Sequence, residues 1–229
     1  MEPIIRVVDL WKQYGGDGQS GMALRGTNLA VFPGQVVVLF GKSGSGKTTL
    51  LNLLTGLDKP TRGSVEIEGK NLEELGEAGR TELRRNRVGF VFQFFNLLPT
   101  LTAFEKVSLS LELAGLPDNA SVAEALRAVG LADKEHRYPH ALSGGEQQRV
   151  AIARAFVKKP SIILADEPTG NLDSATGNRI LDLLVERCKE VNTTLIMVSH
   201  ALTTCRYADR VFRMVDGALV EETCENLRS

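Results

Sequence analysis

The sequence predicts an α/β fold in which helices cover both faces of a parallel sheet. Three observations support this: a strand, glycine-rich loop and helix over 36–54, strands alternating with a helix over 161–198, and a run from 94 to 156 with helical signals and no convincing strand. Alternating strands and helices are typical of parallel sheets. We therefore expect a parallel core interrupted by a helical subdomain.

The N-terminal part predicts a small, mostly antiparallel sheet. Residues 4–10 alternate loosely between apolar and polar side chains, and 23–32 form a second strand-like run. A flexible glycine-rich loop over 15–21 separates them, and Pro33-Gly34 predicts a turn. Residues 64–68 alternate as a half-exposed strand. We expect these strands to form a β subdomain.

The run after Pro33-Gly34 has the pattern of a phosphate-binding loop. An apolar, β-branched strand over 36–40 leads into glycines and then into Lys47 and Thr48. Glycines allow backbone N–H groups to turn inward, and the following helix start favours an anion. A plain glycine-rich turn does not explain Lys-Thr at this spacing. The predicted contacts to a nucleoside triphosphate are Gly41, Lys42, Ser43, Gly44, Ser45, Gly46, Lys47, Thr48 and Thr49, with Lys47 at the phosphates and Thr48 on Mg²⁺.

The next elements are assigned from periodicity. An apolar face over 50–57 predicts a helix, and 88–92 predicts a buried strand. Between them, 80–87 is rich in arginine but interrupted by Glu82, so we interpret it as a solvated helix face rather than a basic binding surface. The chain closes with 210–220, which predicts a hairpin that turns at Asp216-Gly217.

Two adjacent carboxylates follow the apolar run 161–165. Ligands of parallel sheets bind at the carboxyl ends of strands, so Asp166 and Glu167 are expected to face the ligand of the phosphate loop. We assign Asp166 to Mg²⁺ and Glu167 to the water that attacks the γ-phosphate. The alternative, that an acid only caps the following turn, is reasonable for Asp166 alone.

Two further polar residues follow predicted strands. Gln93 comes after 88–92 and is a candidate for the metal or its water, although a glutamine here is more often an ordinary loop residue. His200 comes after the predicted strand 194–198, where an imidazole would reach the γ-phosphate. A single histidine after a strand is more often structural, so its position at a third strand end is the argument for it.

A second anion-binding element is predicted over 142–150. Ser143 and Glu146 have the spacing of a capping box, which by itself indicates a well-capped helix. Gly144 and Gly145 directly after the cap weaken a helix start by about 1 kcal/mol each. We infer that something approaches the backbone closely there, and an exposed helix N-terminus is suited to an anion.

Composition narrows the class of protein. The 229 residues carry a net charge of −1, which gives no long-range field for nucleic acid. The three cysteines, at 188, 205 and 224, lack metal-ligand spacing and are expected to be core or surface thiols in a reduced compartment. The N-terminus lacks a signal-peptide pattern, and no later stretch has membrane-spanning character. We expect a soluble, cytosolic chain whose membrane part, if one exists, is another protein.

Taken together, these motifs resemble the ATP-binding cassette ATPases, across essentially the whole chain. The residues that carry the resemblance are the loop 41–48, Gln93, the run 142–149, the run 162–167, Asn171-Leu-Asp173 and His200. The resemblance implies the RecA-like fold of P-loop NTPases as a single domain over 1–229. Its catalytic core would comprise 1–93 and 157–229, and its helical subdomain 94–156.

The resemblance also implies a head-to-tail homodimer that encloses two ATP molecules. Each would be held by the loop, Gln93, the two acids and His200 of one subunit. The other subunit would contribute the signature residues Ser143, Gly144, Gly145 and Gln147. Asp173 would couple the two sites. Tyr14 would stack on adenine, although its interpretation as an ordinary amphipathic surface tyrosine is nearly as good.

Within that family, the chain is most similar to the lipoprotein-release, macrolide-efflux and cell-division branch. The supporting residues are the run 94–105 and Tyr138-Pro-His140. The resemblance implies a membrane permease contacted through Phe94 to Lys106, and a peripheral position on the cytoplasmic face of the membrane. The alternatives are an importer ATPase, a soluble ATPase of this family acting on DNA or ribosomes or in cell division, and a P-loop kinase or metabolic transferase.

Overall fold

The computed structural model describes residues 1–15 and 21–228 and divides the chain into two compact units. The first comprises Met1–Arg84 and Ile196–Ser229, and the second Arg85–Leu195. Most of the predicted flexible loop over 15–21 lies outside the described residues. The division into domains at 93 and 157 stays a prediction. The boundaries of the two compact units lie elsewhere and do not test it.

An antiparallel sheet in the first unit confirms the predicted β subdomain. Its strands are β1 (Ile5–Tyr14), β2 (Gly21–Val31), β4 (Arg62–Ile67) and β5 (Lys70–Asn71), in the order β2-β1-β4-β5. Ile5 of β1 pairs with Val31 on one side and with Ile67 on the other, and all three are buried. Because directly paired residues lie on the same side of a sheet, these three buried side chains give it one apolar face.

The first unit also carries the strand that precedes the phosphate loop. All five residues of β3 (Val36–Phe40) are buried, as the unbroken apolar run predicts for a parallel strand. It pairs in parallel with β9 (Arg210–Val215), which continues into β10 (Ala218–Glu222) as the predicted antiparallel hairpin. The helices here are α1 (Lys47–Leu54) and α2 (Gly76–Asn86), whose last two residues lie beyond the unit boundary.

The second unit combines a parallel strand pair with helices. Strands β6 (Val88–Phe92) and β7 (Ile162–Asp166) pair in parallel, with Val88 opposite Ile162. The remaining elements are α3 (Ala103–Leu113), α4 (Asn119–Ala128), α5 (Gly144–Phe156) and α6 (Ser174–Glu190). Strand β8 (Thr194–Val198) begins here, and its residues from Ile196 belong to the first unit.

A single glycine allows α5 to approach β6. A Cβ atom at Gly89 would lie 2.6 Å from the carbonyl oxygen of Ala155 and 2.4 Å from Cδ1 of Ile163. No side chain fits between the helix backbone and the strand, so glycine is required there. The close packing brings the buried face of α5, which includes Gln148 and Ile152, against the strands. This contact positions part of the candidate site.

One arginine of helix α2 differs from the prediction of a solvated face, whereas Glu82 and Arg85 are exposed as predicted. Arg80, expected on a solvated face, is 4% exposed and packs over Gly56, where a Cβ atom would lie 2.6 Å from Arg80 Cδ. Its guanidinium donates to the carbonyl oxygen of Leu72 at 3.2 Å and to Glu77 at 2.9 Å. The absence of a side chain at Gly56 makes room for the arginine stem, a contact that charge patterning does not reveal.

The cysteines also differ from the expectation of three thiols. Cys205 and Cys224 form a disulfide, whereas Cys188 is a buried thiol in α6. The disulfide joins the 3-10 turn Leu202–Tyr207 to the C-terminal segment. Burial raises the pKa of the Cys188 thiol to about 12, so it stays protonated at neutral pH.

Among the helices of the described residues, none has both the length and the apolar character needed to cross a bilayer.

Candidate active site

The phosphate loop connects β3 to α1 and is shaped by its glycines. Gly46 is the N-cap of α1 with φ of 111°, and no side chain caps the helix. A Cβ atom at Gly46 would lie 2.4 Å from the carbonyl oxygen of Ala23, so glycine is required. Gly44 has φ of 79° with open space around its Cα. The first N–H groups of α1 and the bare loop therefore form a concavity suited to an anion.

Lys47 is the buried charge of this loop. Its side chain is in the first turn of α1, and Nζ donates to the carbonyl oxygens of Gly41 at 2.7 Å and Lys42 at 2.9 Å. Ser45 Oγ is buried and finds no hydrogen-bond partner among the described residues. Buried hydroxyl groups are normally paired, so both side chains fit a loop that receives an oxygen-rich ligand.

The hairpin turn at Gly217 supports the phosphate loop through hydrogen bonds. Its N–H donates to the carbonyl oxygen of Ser45 at 3.1 Å, and its own carbonyl oxygen accepts from the N–H of Arg25 and from Thr27 Oγ1 at 2.9 Å. From the sequence, Asp216-Gly217 predicts a turn and nothing more. This support was missed because it joins residues far apart in the chain, which local patterns do not report.

Tyr14 and His200 are the other predicted ligand contacts of the first unit. Tyr14 is 44% exposed, donates through its hydroxyl to Asp58 Oδ2 at 2.7 Å, and lies beneath the Lys12 ammonium. Burial, and then the bond to Asp58, raise the pKa of Tyr14.

His200 is exposed and follows Ser199, whose N–H donates to the carbonyl oxygen of Leu39 at 3.1 Å. That bond ties the His200 segment to the strand that leads into the phosphate loop.

In the second unit, the register of two strands brings Gln93 and the acids to one edge. Phe92 pairs with Asp166, so Gln93 and Glu167 are the next residues at the same end of the parallel pair. The side chain of Gln93 lies over Gly170, where a Cβ atom would be 2.6 Å from Gln93 Nε2. Asn171 Nδ2 donates to the carbonyl oxygen of Gln93 at 3.0 Å. The predicted grouping of Gln93 with the acids is thus present within this unit.

Glu167 has an uncommon backbone conformation. Its φ of 46° is in the left-handed region, which residues with a side chain seldom adopt, and Pro168 follows directly. Its carbonyl oxygen accepts from the N–H of Gly170 at 3.0 Å. Strained residues of this kind cluster at functional sites because the surrounding structure must hold them.

The predicted capping box of α5 is present. Ser143 Oγ accepts from the N–H of Glu146 at 3.3 Å, and Glu146 Oε2 accepts from the N–H of Ser143 at 2.8 Å. Lys134 pairs with Glu146 and, together with the Ser143 N–H, lowers the pKa of Glu146 to about 2. This turn is therefore fixed before any ligand meets it.

The glycines of that turn have a structural explanation within the chain. A Cβ atom at Gly145 would lie 2.7 Å from Thr176 Cγ2, and one at Gly144 would lie 3.2 Å from Leu172 Cδ2. The expected close approach to the backbone is thus made by the start of α6.

Asp173 caps α6 by accepting from the N–H of Thr176 at 2.9 Å, and hydrogen bonds from Thr176 lower the pKa of Asp173. The remaining predicted contact, Gln147, donates to the carbonyl oxygen of Leu142 at 3.1 Å.

Comparison with known proteins decides the family. Residues 24–170 match the family model for the ABC transporter domain. This chain belongs to the ABC transporter ATP-binding family. The lipoprotein-releasing system ATP-binding protein LolD of Pseudomonas fluorescens is 46% identical over 95% of this chain and 97% of its own length. The uncharacterized ABC transporter ATP-binding protein YbbA of Escherichia coli is 46% identical over 96% of this chain and 98% of its own.

A solved structure agrees with this assignment. The dimeric post-hydrolysis state of the ATP-binding cassette MJ0796, bound to ADP and phosphate, has a TM-score of 0.87 and 39% identity, and covers 96% of this chain and 98% of its own. The predicted P-loop NTPase fold is thereby confirmed. The chain is an ATP-binding ATPase subunit of an ABC transporter, in which ATP hydrolysis is coupled to transport.

One buried residue of this ABC ATPase was not predicted from the sequence. Gln148 is fully buried in α5 and donates to the carbonyl oxygens of Phe92 and Pro168, at 3.3 and 2.7 Å. Its position on the buried face of a predicted helix, where glutamine is uncommon, is the signal that could have identified it.

Proposed function

We propose that this chain is the ATPase of a lipoprotein-release or efflux system, working as a homodimer on a separate membrane permease. The observation that carries the proposal is the 46% identity to a LolD protein over nearly the full length of both chains. Substrate choice would then belong to the permease, and the chain would lie on the cytoplasmic face of its membrane.

ATP is proposed to bind with its phosphates in the loop 41–49. The uncapped start of α1, the buried Lys47 ammonium and the unpartnered Ser45 hydroxyl support this, because together they offer N–H, cationic and hydroxyl groups to phosphate oxygens. Tyr14 is assigned to adenine, since nearly half of its surface is exposed.

Mg²⁺ is proposed to bind through Thr48, Gln93 and Asp166. These residues supply hydroxyl, amide and carboxylate oxygens, the donors that this cation prefers. Few protein groups would hold this cation together with the phosphates, and it would neutralise their negative charge.

Hydrolysis is assigned to Glu167, with His200 at the γ-phosphate. A carboxylate that polarises the attacking water must be held firmly, and Glu167 is in a constrained backbone conformation next to Gln93 at one strand edge. Gln93 would orient the water or complete the coordination of Mg²⁺.

The second subunit of the homodimer is proposed to supply Ser143, Gly144, Gly145 and Gln147 to the same ATP. The capping box holds this turn with Ser143 exposed at the N-terminus of α5, and the neighbouring MJ0796 cassette is dimeric with ADP and phosphate bound. Asp173 would couple the two ATP sites, because its bond to Thr176 links it to the packing at Gly145.

The permease is proposed to contact the segment from Phe94 to Lys106. Phe94 is 71% exposed and Leu98 52%, whereas Arg154 holds the backbone by donating to the carbonyl oxygens of Phe95 and Asn96. A fixed backbone that presents apolar side chains is suited to binding a partner. Lys106 at the end of the segment is buried, so the contact surface would come from its first half.

The test is capture of the partner by the Glu167→Gln variant loaded with ATP. This variant is expected to bind ATP without rapid turnover, so it should hold its permease through extraction of membranes with detergent. Mass spectrometry then identifies what is recovered. The Phe94→Ser and Leu98→Ser variants should lose the partner, whereas Leu116→Ser, which changes an equally exposed leucine in the same unit, should retain it.

Recovery of a permease with few membrane spans and a large extracytoplasmic domain would support the lipoprotein-release or efflux role. A permease with many spans, or the absence of any membrane protein in the captured material, would contradict it.

A further inference from the structure

Gln148 is a fully buried amide that joins two loops of the second unit. It is in α5, and its Nε2 donates to the carbonyl oxygen of Phe92 at 3.3 Å and to that of Pro168 at 2.7 Å. Phe92 is the residue directly before Gln93, and Pro168 is the residue directly after Glu167. One side chain thus holds the backbone next to both residues that the proposed function places at the reacting water.

Burying an amide at this position costs free energy, which indicates that its two hydrogen bonds have a function. An amide nitrogen has two hydrogens, so the two carbonyl groups use its full donor capacity. Its Oε1 atom is buried and finds no partner among the described residues, which is unfavourable. A methionine would fill a similar volume without that penalty, so packing alone does not explain glutamine at this position.

The backbone that Gln148 holds is the strained part of the site. Glu167 has φ of 46° immediately before Pro168, and Gln148 anchors the next peptide unit by donating to the carbonyl oxygen of Pro168. A second support is the N–H of Gly170, which donates to the carbonyl oxygen of Glu167. Such a conformation persists where its surroundings hold it in place.

We propose that Gln148 is a positioning residue for ATP hydrolysis. It holds Gln93 and Glu167 in place by donating hydrogen bonds to the carbonyl groups of the adjacent residues in the chain. The proposal rests on the proposed roles of Glu167 and Gln93. It assigns Gln148 no contact with ATP. Its loss should therefore reduce the rate of hydrolysis while nucleotide binding by the phosphate loop is retained.

The test compares Gln148→Met, which keeps the volume and removes both donors, with Gln148→Asn, which keeps the amide on a shorter side chain. For Gln148→Met we expect kcat to fall by about tenfold or more, with KM and ATP affinity changed by less than about twofold. Gln148→Asn should be intermediate. Thermal unfolding is followed for each variant, and Val122→Ala, a buried truncation in α4 of the same unit, is the control for loss of stability.

A double variant gives the readout that a merely structural role would not produce. If Gln148 acts through Glu167, adding Gln148→Met to Glu167→Gln should reduce the residual rate by less than about twofold, because interacting residues are not additive. Multiplicative losses in the double variant, unchanged kcat in Gln148→Met, or an equal loss of kcat in Val122→Ala would each overturn the proposal. Full turnover of Glu167→Gln alone would instead overturn the role proposed for Glu167.

Discussion

At the scale of single residues, Lys47 shows how the phosphate loop is prepared for a ligand. Its ammonium is bonded to the carbonyl oxygens of Gly41 and Lys42 instead of extending into solvent. Carbonyl oxygens are neutral acceptors, so phosphate oxygens are stronger partners for the same charge. The loop therefore holds its cation next to the proposed position of the phosphates.

Replacement of Lys47 by alanine is expected to weaken ATP binding by about ten- to a hundredfold, the usual worth of a hydrogen bond to a charged group. Isothermal titration with ATP measures this directly. Lys70→Ala, which removes an exposed lysine from β5, is the matched control and should bind like the unaltered protein. Equal affinity in Lys47→Ala would refute the assignment of the loop.

Glu146 predicts a specific response to acid. Its pKa is lowered from 4.5 to about 2 by Lys134 and the Ser143 N–H, so the folded protein holds the charged form more strongly than the unfolded chain does. The stabilisation is present above pH 4.5 and is lost as the pH falls toward 2. In Glu146→Gln, urea unfolding should depend less on pH over this range.

The control for that experiment is Glu124→Gln, which changes an exposed glutamate of α4. Its pH profile should follow that of the unaltered protein. If Glu146→Gln and the unaltered protein lose stability in parallel between pH 5 and about pH 2, the ion pair does not have the role assigned to it.

At the scale of elements, local patterns predicted strands and caps well but not the contacts between distant residues. The apolar run of β3 and the capping box at Ser143 follow from period and spacing alone. The burial of Arg80 does not, because it depends on the missing side chain at Gly56, which only the fold brings close. Gly217 and Gln148 were missed for the same reason, since each bonds to residues far away in the sequence.

The C-terminal segment carries an element-scale prediction. The Cys205–Cys224 disulfide closes a loop between residues 19 positions apart, and closure of such a loop is worth roughly 3 kcal/mol through the unfolded chain. Reduction should lower the free energy of unfolding in urea by about that amount. The variant with serine at both positions should not respond to reductant. Three titratable thiols in the unreduced, unfolded protein would show that the disulfide is absent.

At the scale of the whole molecule, the predicted residues divide between the two compact units. The phosphate loop, Tyr14 and His200 belong to the first, whereas Gln93, the two acids and the capped turn at Ser143 belong to the second. The sequence predicted each group from its motif, and the structure shows how each is held within its own unit. The assignment of both groups to ATP comes from the resemblance to ATP-binding cassettes, and the roles of the individual residues remain proposals.

The homodimer is where these proposals meet. If the signature turn of one chain completes the ATP site of another, ATP must bind the dimer more tightly than it binds the separate chains. Blocking hydrolysis without blocking binding should then trap the dimer, because the nucleotide that stabilises it is no longer consumed. Glu167 is the residue assigned to that step.

The decisive measurement is light scattering coupled to size-exclusion chromatography on Glu167→Gln, with and without ATP and Mg²⁺. We predict a monomer without nucleotide and a dimer with ATP, reverting to a monomer when Ser143→Arg is added. Turnover should be lower than in the unaltered protein by about a hundredfold or more. A variant that binds ATP but stays monomeric, or that hydrolyses ATP at the full rate, would contradict the proposed mechanism.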